Sequence, residues 1–145
     1  MEAALQVAVK DEIRRFNAQV GPRRVVPPRV TVGRPGSQSI VLAETSPLTA
    51  ALRTDLLERA VDGLLSTEGA FVWVARIGGS DPVETDDLWF QAARQAFARH
   101  GLPLERFLVL HRRGWRDLVT GERQEWPRVR QTVRATRLKR RSQDG

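Results

Sequence analysis

Apolar residues return every three or four positions at the start of the chain. Leu5, Val9, Ile13 (or Glu12), Phe16 and Val20 form one stripe, with Lys10, Asp11, Arg14 and Arg15 on the other side. That spacing predicts an amphipathic helix over residues 2–20. Gly21-Pro22 ends it, since glycine suits a left-handed cap and proline cannot continue the hydrogen-bond ladder. Pro27-Pro28 make Arg23 to Arg29 an extended connector. Val30-Thr31-Val32 and Ser39 to Ala43 are β-prone and flank the turn-rich run from Gly33 to Gln38, which predicts a hairpin.

Ser46-Pro47 reads as a helix start, with serine as cap and proline in the first helical position. Leu52, Leu56, Ala60 and Leu64 then repeat every fourth residue, flanked by Leu57, Val61 and Leu65. Arg53, Asp55, Glu58, Arg59 and Asp62 are expected on the solvent side, and Gly69 ends the element. Ala70 to Ile77 is almost wholly apolar, the pattern of a strand covered on both faces. After the turn from Gly78 to Pro82, Thr85 is the expected cap of a third helix. Asp86 and Asp87 fall in its first turn, and Leu88, Trp89, Ala92, Ala93, Ala96 and Phe97 in its body. Phe107 to His111 predicts another buried strand, and Trp115 to Val119 with Arg123 to Trp126 a terminal hairpin.

The expected fold is therefore an α/β single domain over residues 1–127. It has a mixed sheet, an N-terminal helix, a β-hairpin and two β-α-β crossover units, and the crossovers predict a largely parallel sheet. From Pro127 the apolar content falls away, leaving residues 128–145 as a basic C-terminal arm.

Charge sharpens that division. Residues 1–111 hold 13 Lys+Arg and 13 Asp+Glu, whereas residues 112–145 hold 11 Lys+Arg against 4 Asp+Glu, a difference of +7 that equals the net charge of the chain. Arginine-rich coding bias accounts for the choice of arginine over lysine but not for the loss of acids after His111. An excess of this kind fits an acidic partner such as nucleic acid. The candidate contacts are Arg112, Arg113, Arg116, Arg128, Arg130, Arg134, Arg137, Lys139, Arg140 and Arg141. If residues 128–141 are helical, Arg130, Arg134, Arg137 and Arg141 share one face, and a guanidinium grips phosphate through two parallel hydrogen bonds. Trp115 and Trp126 are interleaved with these charges. Exposed, they would stack on unpaired bases; buried, they would close the hairpin onto the core, the expectation for at least one of them.

Other chemistries are poorly provided for. With no cysteine, disulfides, thiolate zinc sites and a cysteine nucleophile are excluded. No apolar stretch reaches bilayer length and the first twenty residues lack the layout of a secretory signal, so the expected location is the cytoplasm, away from the membrane. Neither Gly33 to Ser37 nor Ile77-Gly78-Gly79 contains a phosphate-loop pattern, and no cofactor is expected. Asp81, Glu84, Asp86 and Asp87, beyond the end of a predicted strand, are the residues that would hold Mg²⁺ or Mn²⁺. The simpler reading is that these acids cap a helix. His100 is expected at a helix C-terminus and His111 at a strand end, neither with a zinc spacing or a catalytic signature.

Two family resemblances attach to these segments. The run from FVWVAR through D-D-L-W and G-L-P-L to RGWRDLVTGERQEW, about 55 residues, resembles an uncharacterised family of small actinobacterial α/β proteins and implies no activity. Ile40 to Trp115 is similar to the JAB/RadC-type metalloprotein domain, with Asp81-Pro82 matching the end of that family's metal motif. Ala75, Ile77 and Leu88 stand where its ligands belong, so the similarity implies the fold without the hydrolase chemistry. The leading expectation is a non-catalytic binding module contacting DNA or RNA through the arm. The others are a protein-interaction subunit, docking a partner or its own copy through the N-terminal helix, and a metal-dependent enzyme at the 78–87 loop.

Overall fold

A computed structural model describes residues 1–43 and 48–127. The expected cap at Ser46-Pro47 and the arm lie outside the described residues. The order of elements is α1 (Ala3–Val20), β1 (Arg29–Gly33), β2 (Ser39–Ala43), α2 (Ala50–Gly63), β3 (Phe71–Ala75), α3 (Glu84–Arg99), β4 (Phe107–His111), β5 (Gly114–Asp117) and β6 (Arg123–Glu125). No helix among the described residues is long and apolar enough to cross a membrane.

The six strands form one mixed sheet in the order β2-β1-β3-β4-β5-β6. β3 and β4 are buried along their whole length, so both faces need a cover. Successive strand side chains point to opposite faces. Phe71, Trp73, Ala75, Leu108 and Leu110 pack under the α1 stripe of Leu5, Val9, Ile13, Phe16 and Val20. Val72, Val74, Phe107 and Val109 pack on the other side against α2 and α3, with Trp89 at the centre. The result is three layers, α1 on one face and α2 with α3 on the other.

Both expected crossovers are present, β2-α2-β3 and β3-α3-β4, but the sheet is not largely parallel. β1 lies between β2 and β3 and pairs antiparallel with each, leaving β3-β4 as the one parallel neighbour pair among the described strands. The hairpin forces this. β1 must stay beside β2, and its alternating Val30 and Val32 extend the apolar face on which α2 packs. β5 and β6 complete the far edge as antiparallel neighbours.

Two helix starts differ from the pattern reading. Thr49 caps α2, its Oγ1 accepting from the Leu52 N–H at 3.1 Å. Val83 rather than Thr85 precedes α3, and the Asp86 carboxylate accepts the Val83 N–H at 3.2 Å. The buried face of α2 is also rotated from the expected one, to Arg53, Thr54, Leu57, Ala60 and Val61, and Leu52 is exposed. The Arg53 guanidinium lies 6.0 Å from the Trp89 ring centre, so its stem packs inward, as a long cationic side chain can when an aromatic face receives it.

Gly33 ends β1 at φ 141, where a Cβ would collide with Gln38 O and stand 2.7 Å from Ser39 Cα. Gly33→Ala is expected to cost on the order of 1–3 kcal/mol, read as a lower urea midpoint with an unchanged far-ultraviolet spectrum. A midpoint equal to the parent's would mean the hairpin relaxes freely.

Candidate functional site

Polar chemistry gathers where β3 and β4 end. Ala75 pairs with Leu110, so Arg76 and His111 leave the parallel pair side by side. Arg76 is 7% exposed and every donor on its guanidinium is engaged. Nε and Nη2 reach Asp86 Oδ1 and Oδ2 at 2.9 Å each. Nη2 also donates to Asp81 O at 2.9 Å, and Nη1 to Gly79 O at 3.0 Å and Ile77 O at 3.3 Å. The bidentate pair thus ties the strand end to the first turn of α3, and the remaining bonds hold the intervening loop.

This geometry decides the fate of the four loop carboxylates. Asp86 is 1% exposed and neutralised by Arg76, with Arg116 Nη2 a further 3.7 Å from its Oδ2. Asp81, Glu84 and Asp87 are exposed, and no group of His, Asp or Glu that could hold a metal ion is found among the described residues. The acids do not converge on a cation. Asp86 is the anionic half of an ion pair, and Glu84 and Asp87 sit with it in the first turn of α3, where negative charge suits the helix dipole. Ala75, Ile77 and Leu88 supply no ligand in their places. A groove of about 1080 Å³ along α3, walled by Thr54, Leu88, Phe90, Gln95, Leu104 and Leu118 among others, carries no carboxylate or imidazole among its described residues.

The basic residues divide. Arg116 opposes Val109 across β4-β5, so it projects on the α3 face toward Asp86; its side chain is 21% exposed. Arg112 and Arg113, in the turn between β4 and β5, are exposed. Arg128, Arg130, Arg134, Arg137, Lys139, Arg140 and Arg141 lie outside the described residues. Both tryptophans serve the fold. Trp115 is 3% exposed in the α1 core, and Trp126 is half-buried with Lys10 Nζ 4.9 Å from its ring centre.

The two histidines respond oppositely to their surroundings. His100 Nε2 meets Asp62 Oδ1 at 2.8 Å and Nδ1 meets Ala96 O at 3.0 Å. The Asp62 hydrogen bond, then the carbonyl, raise its pKa above the usual 6.5. His111 is buried, and loss of hydration lowers its pKa. Glu125 opposes that shift, while Arg76, Arg116 and Arg113 add to it.

Arg76 is the residue that pattern reading passes over. Its signal is an arginine between Ala75 and Ile77 in an apolar strand, ten residues before an aspartate opening a helix. Removing one member of a buried ion pair strands the other, so Asp86→Asn is expected to lower unfolding free energy by roughly 3–5 kcal/mol. In urea titrations the Arg76→Gln/Asp86→Asn double variant should lose less than the sum of the singles. Additive losses would mean the two side chains act separately.

In a proton NMR titration one imidazole should titrate above 6.5 and the other below, and His100→Gln should remove the higher. His100, its folded pKa raised, contributes stability below 6.5 that is lost as pH rises through the folded value. His111, its folded pKa depressed, contributes stability above 6.5 that is lost as pH falls through the folded value. Two imidazoles titrating together would contradict both environments.

Comparisons with family models, curated proteins and solved structures each returned no match, and the functional reading rests on this chain's own residues.

Proposed function

We propose that the protein is a non-catalytic module that binds nucleic acid through its basic C-terminal arm, residues 128–145, together with Arg112 and Arg113. The observation that carries this reading is the partition of charge: a neutral body through His111 and an excess of +7 beyond it. Chain geometry supports it. β6 runs antiparallel to β5 and the Trp126 N–H donates to Arg113 O at 2.8 Å, so the backbone enters the arm beside the exposed Arg112-Arg113 turn. Arg116 is left out of the contact set, because its guanidinium faces Asp86. A catalytic reading loses its best residues, since Asp86 is held by Arg76 and the remaining loop acids stand apart in solvent.

Neutralising phosphates releases condensed counterions, so binding should weaken linearly on a log–log plot against salt, with a slope of about −0.9 per neutralised phosphate on duplex DNA. The expected result is binding by the full chain that falls with salt in this way. A chain ending at Pro127 should bind far more weakly while melting at the same temperature. No binding to DNA or RNA at low salt, or binding indifferent to salt, rejects the reading.

A further inference from the structure

The aromatic residues and the arginines at one end of the body together say which feature of a nucleic acid this protein can read. All nine aromatic side chains precede Pro127; seven are buried and the other two, Phe90 and Trp126, are half-buried. Phe90 packs on Phe107 with ring centres 5.1 Å apart, and Trp126 packs against the α1 core beneath Lys10. The chain has no tyrosine, and no aromatic residue lies in the arm. Proteins that hold unpaired strands stack bases on exposed rings. No fully exposed ring is available here.

Exposed arginines stand on several parts of the body, Arg34, Arg59, Arg94 and Arg123 among them; four others lie near the end of α1 and the β4-β5 turn, with Glu125 exposed opposite Gly114. Asn17 Nδ2, in the last turns of α1, donates to Arg112 O at 3.1 Å, which brings the end of that helix against the β4-β5 turn. Just beyond it, Arg23 Nη2 and Nε bond Gln19 O and Val20 O at 2.6 and 3.1 Å, fixing the guanidinium on the helix end, and Arg24 follows in solvent. Arg23, Arg24, Arg112 and Arg113 are all exposed, and none forms an ion pair among the described residues. The acids nearest in sequence on α1, Asp11 and Glu12, pair instead with Arg14 and Arg15 on the helix itself. The four exposed arginines come from two segments about ninety positions apart in the chain.

We propose that these four arginines form one surface of the body, and that this surface binds the phosphodiester backbone of a duplex without reading bases. The inference rests on the nucleic-acid reading above and adds the surface and the form of the ligand. Phosphate contacts set affinity and register, and in the absence of base-edge contacts they carry no sequence preference.

The test uses the full chain, short labelled DNA and RNA duplexes of two unrelated sequences, and the matching single strands, each titrated across salt. The variant R24Q/R112Q/R113Q should bind more weakly, with a log–log salt slope shallower by roughly 2 to 3, about 0.9 for each phosphate no longer neutralised. R59Q/R94Q/R106Q, which removes equal charge from elsewhere on the body, should keep the parental slope. Melting curves of both variants check that each is folded, and R23Q, added to the first set, should flatten the slope by one further phosphate. The two duplex sequences should bind alike, and no single strand should bind more tightly than its duplex. Equal slopes in the two triple variants, or tighter binding to single strands, overturn this inference while leaving the arm reading standing. Failure of the parent chain to bind any of these probes overturns the arm reading itself.

Discussion

A strand with no polar face cannot lie at a surface, and β3 and β4 have none: every residue of both is buried. Most of the structure answers that constraint. Covering one face requires the α1 stripe, and covering the other requires α2 and α3, with Trp89 and Phe97 at the contact. Apolar burial is worth on the order of 25 cal/mol per Å² removed from water, so covering both faces of this pair stabilises the fold. The antiparallel strands at both edges extend the two cores outward, and the outermost strand, β6, is short and exposed throughout.

The same constraint explains the buried ion pair. A chain leaving the end of a covered strand must turn under the helix that follows, and its carbonyls must be bonded there. Arg76 performs that task for Ile77, Gly79 and Asp81 at once. A guanidinium drawn inside needs a carboxylate, and Asp86 supplies it while also accepting the Val83 N–H that opens α3. Acids that suggest a metal site in the linear sequence are thereby divided between an internal charge pair and solvent.

Arg76 and Asp86 match one another inside, and other arginines face the outside. Arg116 turns toward Asp86, whereas Arg112 and Arg113 remain in solvent at the end from which the chain continues into its basic segment. Seven of the nine aromatic rings are buried and two half-buried, while Arg112 and Arg113 face outward. That distinction comes from packing, because Trp115 and Trp126 stand among arginines in the sequence and suit either role there.

Among the described residues the linear pattern was enough to find each helix and strand, although α2 ends at Gly63, six residues before the expected stop at Gly69. α1 was legible almost to its five buried positions, the pattern leaving only Ile13 or Glu12 open, which packing settles for Ile13. The charge partition was likewise complete in composition, since it needs no geometry. At α2 the apolar residues offer two neighbouring stripes, and only contact with the sheet and Trp89 selects the one that buries Arg53 and exposes Leu52. Strand order was beyond local pattern as well, since insertion of β1 between β2 and β3 depends on which edge the hairpin presents. The pairing of Arg76 with Asp86, the inward turn of Arg116 and the approach of the α1 end to Arg112 were decided by tertiary structure for one reason. Periodicity reports which face a residue occupies, whereas a charge's partner is set by which distant segment arrives beside it.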